Sequence, residues 1–177
     1  MLASFLCLPL LAGGGWYAAS PYYTVHAMQR AALSGDVERF AAHVDFPQLR
    51  ASLKSAIRAR LAAEAEAAPP NSLQALGIGL AMGFVDQMVE SALSPEAMGL
   101  ALASLQAAGE WSAPVGLESL ALLAAPQLEI EREGLERFRL QLAEGEGHPA
   151  LLFRRDGLGW KLDGVDLPHA RPPAAGA

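Results

Sequence analysis

The sequence predicts an α+β fold: an N-terminal hydrophobic anchor helix, a helical region, and then a C-terminal antiparallel β-meander of three to four strands with the helices on one face. Three observations predict this order. No charged side chain precedes Arg30, so the chain begins with an apolar segment. Helix start signals then recur, the last of them at Ser94-Pro95. After Pro126, apolar residues alternate with charged ones, which is the period of a strand.

Composition excludes several classes of protein. The chain has 177 residues, which is enough for one domain, and 52% of them are hydrophobic, which excludes a disordered protein. Its net charge of -6 argues against nucleic-acid binding, because phosphate recognition needs clustered Lys and Arg. One cysteine, Cys7, excludes an intrachain disulfide framework.

Residues 1–19 predict attachment to a membrane. Leu2 to Ala19 are all apolar or small, and as a helix they span about 27 Å at ~1.5 Å per residue. Trp16 and Tyr17 lie at the end of this segment, as aromatic residues do at a membrane–water interface. We expect a signal anchor that holds the domain at the inner membrane, facing the periplasm. A cleaved signal peptide and a buried core helix are the alternatives.

We expect a single domain over residues 20–167 and a disordered tail over residues 168–177. Ser20-Pro21 has the pattern of a helix start, with Ser as N-cap and Pro in the first turn. This helix is expected to end before Gly35, and a short helix follows from Asp36.

The next helix carries a basic stripe. Asp45 is its expected N-cap, with Gln48 at the capping-box spacing, and the helix runs to about residue 67. Arg50, Lys54 and Arg58 follow one another at four-residue spacing, so they share one face. This stripe is a candidate contact for an anionic ligand or lipid headgroups; a solvated helix face is the alternative.

The segment from Ser72 to Leu93 is apolar nearly all round, so we expect a central, well-covered helix. A helix that dips into a membrane or lines a lipid-sized cavity is the alternative. Gly79 and Gly83 have the spacing that permits close helix approach. Together with Asp86 they form the candidate ligand or packing face.

The remaining chain predicts one helix and then strands. Ser94-Pro95 starts the helix, and within residues 109–126 the segment Glu118 to Ala124 forms either a further short helix or a loop with a buried apolar segment. The expected strands begin near residue 128, with turns at 145–147 and 156–157 and an irregularity around Gly164. Trp160 alternates with Leu162, so it is expected to face the helices.

The sequence holds no recognised catalytic pattern. Its four histidines share no metal-ligand spacing, and nucleotide-binding glycine motifs and serine-hydrolase motifs are absent. We therefore expect no cofactor and no enzymatic activity.

Several segments together resemble the bacterial domain of unknown function 2939 family. They read SPYYTVHAMQRAALSGDVERFAAHVDFPQLRASLKSAI, VDQMVESALSPEAM and LLFRRDGLGWKLDGVDLP. The resemblance covers nearly the whole chain after residue 15. It implies an N-terminal hydrophobic segment followed by helices and a C-terminal sheet, and it implies no activity. The family's segment often follows basic residues, which this sequence lacks.

The preferred hypothesis is a non-enzymatic, membrane-tethered extracytoplasmic domain that binds an apolar ligand, a lipid or a protein. An adaptor or structural protein of the cell envelope is the alternative, and a small carboxylate-based enzyme is the least favoured. A cavity above ~300 Å³ between helices and sheet favours a ligand. A filled core with an exposed apolar patch favours the adaptor. Buried, convergent carboxylates favour the enzyme.

Overall fold

The computed structural model describes residues 2–69, 72–108, 122–123, 125, 127–143 and 149–167, with backbone alone for residues 2–14, 95 and 104–108. Within these residues, five helices precede a four-stranded antiparallel sheet, which confirms the α+β class. The predictions for residues 145–147 and 168–177, and most of that for Glu118 to Ala124, lie outside the described residues.

The first helix, α1 (Leu2–Ser34), is continuous through the predicted boundary at residue 20. The helix start expected at Ser20-Pro21 is therefore wrong. A proline inside a helix leaves one carbonyl without its amide donor, and side chains from elsewhere satisfy that carbonyl in this protein, as described below. Gly35 ends α1 in the left-handed region, with φ at 66°.

The capping signals otherwise act as expected. Asp36 caps α2 (Val37–Ala41) by accepting from the Arg39 amide at 3.0 Å. Three longer helices follow: α3 (Phe46–Ala67), α4 (Leu73–Ala92) and α5 (Pro95–Ala108). The side chains of Asp45, Ser72 and Ser94 accept from amides three residues on, at 3.3, 3.1 and 3.1 Å. Short polar side chains at these positions set where each helix begins.

Four strands form a meander in sequence order: β1 (Leu128–Glu133), β2 (Arg137–Leu142), β3 (Ala150–Asp156) and β4 (Gly159–Asp166). The β1–β2 turn and the β3–β4 turn therefore lie at the same end of the sheet, here called the tip end. The register shifts where Leu152 and Phe153 meet β4, and Asp163 is the extra residue. This confirms the irregularity expected around Gly164.

The sheet and the helices share one hydrophobic core. Phe138 and Phe153 are cross-strand partners whose rings stack with centroids 4.5 Å apart. Trp160 meets Phe138 edge-on at 5.0 Å and is fully buried. The prediction that Trp160 faces the helices is confirmed, because its core neighbours include Val25, Met28 and other residues of α1 to α4.

Helix α3 lies along the exposed edge of β4. The backbone before α3 forms a parallel bridge with β4, in which Leu162 donates to His43 and accepts from Asp45. Further along, Ser52 Oγ accepts from the Val165 amide at 3.1 Å. An added Cβ at Gly164 would lie 2.8 Å from Ser52 Oγ, so this close approach requires glycine.

Candidate functional site

The predicted basic stripe lies between α3 and α4, where it forms a ladder of ion pairs. Arg58 contacts Asp86 at 2.7 Å, Lys54 contacts Glu90 at 2.7 Å, and Lys54 also reaches Asp86 at 3.6 Å. Arg50 contacts Glu90 at 3.2 Å and donates to the Leu93 carbonyl at 3.1 Å. The two candidate sets from the sequence therefore meet, since Asp86 faces the basic stripe.

The charged groups of this ladder pair with one another. The hydrogen bond between Lys54 and Glu90 raises the pKa of the ammonium group and lowers the pKa of the carboxyl group. Both carboxylates are exposed, and solvent weakens such pairs. Paired and exposed carboxylates lack the convergence that acid–base catalysis needs. The arrangement instead holds α3 and α4 side by side and antiparallel.

The side of α4 that faces away from the hydrophobic core carries a row of exposed apolar side chains. Its members are 63% to 87% exposed and are spaced at three or four residues: Leu73, Leu76, Leu80 and Phe84. We call these four residues the apolar row. The buried side of the same helix is formed by Ile78, Val85, Val89 and Ala92. The expectation of a well-covered helix is wrong for half of the surface of α4, because α3 and the core cover one side only.

Gly79 and Gly83 are exposed beside the apolar row. A Cβ added at either position, or at Gly77, meets no atom within 4 Å. Their spacing therefore serves no helix contact among the described residues. The empty surface above them leaves room for a second backbone to approach α4 closely.

Two cavities bear on the ligand hypothesis. The cavity between α3 and β4 has a volume of about 260 Å³ and includes Ser52, Ala56 and Arg60 in its lining. A larger cleft of about 740 Å³ lies between α1 and α2, with Arg30, Arg39 and His43 in its lining. The first is smaller than a typical ligand pocket of ~300–1,000 Å³. The second is large enough for a ligand, but it is open and lies between two helices rather than between helices and sheet, and its lining mixes apolar residues with the three basic ones.

A hydrogen-bond chain joins α1 to the sheet at the proline. Trp160 Nε1 donates to Ser20 Oγ at 2.9 Å, and Ser20 Oγ donates to the Tyr17 carbonyl at 3.1 Å. Arg132 from β1 donates to the carbonyls of Tyr17 and Ala18, each at 2.9 Å. The carbonyl that Pro21 leaves without a donor is that of Tyr17. Sequence reasoning gave Ser20 the wrong role, that of an N-cap, and missed Arg132, because no local signal points to a partner more than a hundred residues away.

The same region of α1 contacts both turns at the tip end. Trp16 Nε1 donates to the Leu158 carbonyl at 3.3 Å, and Tyr17 Oη donates to the Leu135 carbonyl at 2.9 Å. The guanidinium groups of Arg132 and Arg155 each lie 4.8 Å from the Tyr17 ring centroid. The two aromatic rings and the two arginines thus hold the part of α1 around Trp16 and Tyr17 against the sheet.

A second polar cluster, also missed by the sequence, lies on β3 and β4. Arg154 contacts Asp45 at 3.0 Å and Asp163 at 3.4 Å. Burial raises the pKa of Asp163, whose side chain is 9% exposed, although Arg137 and Arg154 oppose the shift. Burial, with a contribution from Lys161, lowers the pKa of His43. The extra residue in β4 explains why a carboxylate is buried here, and the neighbouring arginines compensate its charge.

Metal binding has no support from the described part of the chain, where no three His, Cys, Asp or Glu residues are grouped to hold an ion. Among the described residues, no single helix has the length and hydropathy of a membrane span. The pair formed by Leu73–Ala92 and Glu96–Ala103 reaches these limits together, with a bend of 71° between its helices.

The comparisons with known proteins give a family without an assigned activity. Neither a curated protein nor a solved structure matches the chain. The family described as "Protein of unknown function (DUF2939)" matches residues 10–101, which is more than half of the 177-residue chain. The family resemblance inferred from the sequence is confirmed over residues 10–101, and the protein belongs to the DUF2939 family.

Proposed function

We propose that this protein is a non-enzymatic, membrane-tethered interaction domain, and that its apolar row binds an apolar helix of a partner protein. The single observation that carries the proposal is the row itself, in which four large apolar side chains of α4 face solvent. Exposed apolar patches of this kind commonly mark interaction sites in folded proteins.

The proposed tether lies within residues 1–19, before Trp16 and Tyr17 bond to the sheet, and it enters the inner membrane with the domain in the periplasm. The apolar composition of Leu2 to Ala19 supports it, as do the aromatic residues at its end. Helix α1 continues without interruption from this segment into the core. The tether is therefore a rigid extension of the domain.

The position of the apolar row favours a protein over the bilayer of the tether. Helix α3 follows β4 away from the tip end, since Asp45 bonds Leu162 and Ser52 bonds Val165. Helix α4 returns antiparallel to α3, so its first residue, Leu73, lies about 20 Å beyond Asp86 at ~1.5 Å per residue. The apolar row therefore lies far from the tip end, where the N-terminal part of α1 contacts the sheet.

The surface chemistry favours a helical partner. The row extends about 16 Å from Leu73 to Phe84 at ~1.5 Å per residue, which is the length of three helical turns. Gly77 and Gly83 leave open surface beside it. Helix-in-groove recognition uses apolar anchors at this spacing.

A photoreactive residue at position 80 tests the proposal in cells that make the protein. We expect benzoylphenylalanine in place of Leu80 to form an adduct with one other polypeptide. The adduct is expected to disappear when Leu76→Ser is added, while the same probe at Leu100, a similarly exposed residue of α5, gives none. The identified polypeptide, once purified, is expected to bind the unlabelled chain and to bind L76S less tightly.

Three other results would contradict the proposal. Lipid adducts alone would indicate a membrane surface, and adducts between two copies of the chain would indicate self-association. Equal adducts at positions 80 and 100 would mean that the row has no specific partner. The urea midpoint of L76S should stay close to that of the parent, because Leu76 is mostly exposed.

A further inference from the structure

Two exposed leucines occupy the outermost positions of the two turns at the tip end. Leu135 follows Gly134 in the β1–β2 turn and is 70% exposed; Leu158 follows Gly157 in the β3–β4 turn and is 74% exposed. Turns of this kind usually present polar residues such as Asn, Asp or Ser to water. A leucine in each of two separate turns, at the same end of one sheet, calls for a common explanation.

Both turns lie level with Trp16 and Tyr17, near the end of the apolar segment Leu2 to Ala19. Their backbone carbonyls accept hydrogen bonds from consecutive residues of α1, Trp16 and Tyr17. Residues 2–15 precede this level and contain no charged side chain. The two leucines are therefore fixed relative to α1 by backbone contacts.

The arginines of this end differ from the other arginines of the sheet. Arg137, Arg139 and Arg154 contact carboxylates. Arg132 and Arg155 instead contact backbone carbonyls and aromatic rings, and no ion pair joins either one to a carboxylate among the described residues. Both guanidinium groups keep a net positive charge that no described side chain neutralises.

Two acidic side chains near the tip end already form ion pairs. Glu133 contacts Arg139 at 3.4 Å, and Asp156 contacts Lys161 at 3.1 Å. Glu136, in the β1–β2 turn, is the remaining carboxylate of the two turns. The tip end thus combines apolar side chains, two uncompensated arginines and interfacial aromatic rings, which is the composition that the headgroup region of a bilayer accepts.

We propose that the tip end rests in the headgroup layer of an anionic bilayer, with Leu135 and Leu158 at the acyl boundary and Arg155 attracted by the net negative charge of the anionic headgroups. This inference rests on the proposed membrane tether, and it adds which surface of the domain meets the lipid. A bilayer is the occupant that the structure favours, because residues 2–15 continue α1 directly from this surface. The domain consequently stands in one orientation on the membrane.

Fluorophores at the turns test the proposal in the full chain. In a Cys7→Ser background, single cysteines at Leu135, Leu158 and Leu100 are labelled with an environment-sensitive dye and reconstituted in phosphatidylglycerol–phosphatidylethanolamine vesicles. Leu100 is the matched control, since it is similarly exposed and a Cβ added at its neighbour Gly99 would lie 3.8 Å from Val37 of α2, at the other end of α1. We expect a lipid carrying a quencher near the glycerol to reduce the signal at positions 135 and 158 several-fold more than at position 100.

Charge gives a second readout. Arg155→Gln is expected to reduce quenching at position 158 in anionic vesicles and to leave it unchanged in phosphatidylcholine vesicles, because phosphatidylcholine supplies no net negative charge. Loss of quenching to the same extent in both lipids would indicate a packing role for Arg155 and contradict the headgroup contact. The urea midpoint of each labelled chain reports whether the fold is retained.

Vesicle flotation separates this inference from the tether. A chain that floats with the vesicles, but is quenched no more at positions 135 and 158 than at 100, keeps the tether and overturns the contact of the tip end. A chain that does not float overturns both.

Discussion

Helices α1 and α4 are both apolar and both contain helix-weakening residues, yet they pack against the rest of the molecule in different ways. The described surface of α1 is tied to the sheet by polar groups, with Ser20 bonded to Trp160 and Arg132 covering two carbonyls. Helix α4 contacts the molecule on one side and exposes the apolar row on the other. Hydrophobic composition thus predicts that a helix needs a partner surface, while specific polar contacts decide where that surface is.

The largest expected contrast between the two regions is in stability. Trp160→Ala should lower the free energy of unfolding by about 3–5 kcal/mol, because it empties a buried aromatic site and removes the partner of Ser20. Leu80→Ala, in the apolar row, should change it by no more than ~0.5 kcal/mol. Urea unfolding of both variants measures the difference. Similar losses would mean that α4 is covered in solution and that the contrast is false.

The hydrogen-bond chain at the proline gives the next largest effect. Ser20→Ala leaves the indole of Trp160 without its acceptor and removes one donor to the Tyr17 carbonyl, so we expect a loss of about 1–3 kcal/mol. Ser91→Ala is the matched control, because the exposed Ser91 hydroxyl makes the same kind of bond to a carbonyl three residues earlier. A loss in S91A equal to that in S20A would show that burial adds nothing at Ser20.

Replacing the glycines of α4 should stabilise the protein, whereas the two substitutions above destabilise it. Gly79→Ala and Gly83→Ala should each raise the free energy of unfolding by about 0.5–1 kcal/mol, since alanine costs less backbone entropy in a helix and the space above both positions is open. Gly164→Ala is the control, because its Cβ would meet Ser52 Oγ. Destabilisation by G79A would place another segment against α4.

The smallest effect is a pH dependence at Asp163. Burial raises the pKa of this carboxyl in the folded state, so the native protein holds the proton more tightly than the unfolded chain does. The resulting stabilisation is present at low pH, below the ordinary pKa of the carboxyl, and is lost as the pH rises through the folded-state pKa.

Asp163→Asn removes this dependence. Relative to the variant, the parent protein should therefore lose stability between acidic and neutral pH, as measured by urea midpoints across that range. A parent that gains stability relative to D163N over the same range would reverse the sign and mean that Arg154 outweighs burial.

Local chemistry made much of the fold predictable. Caps at Asp36, Asp45 and Ser94 and the alternation after residue 127 depend on neighbouring residues, so their elements follow from the sequence. The continuity of α1 through Pro21 does not, because Arg132, which compensates the proline, comes from β1. The apolar row was missed for a related reason: a helix that is apolar all round carries no pattern that shows which side is covered.

The candidate residues divide in the same way. The spacing of Arg50, Lys54 and Arg58 correctly put them on one face of α3, and Asp86 was assigned to a face of α4. That the two faces meet depends on how α3 and α4 pack, which neither helix encodes alone. Asp163 became a buried carboxylate through the extra residue in β4, a feature of strand register rather than of composition.

The two borders of the sheet have consequences for association between copies. Strand edges offer unpaired amides and carbonyls to any other strand, and proteins that leave them bare tend to aggregate. At β4, α3 and the backbone before it occupy that edge. At β1, the only described neighbour is β2, and the outward positions of β1 are Glu129, Glu131 and Glu133. A second β1 arriving antiparallel or parallel would bring two rows of carboxylates together, so this sheet resists growth by strand addition at either border.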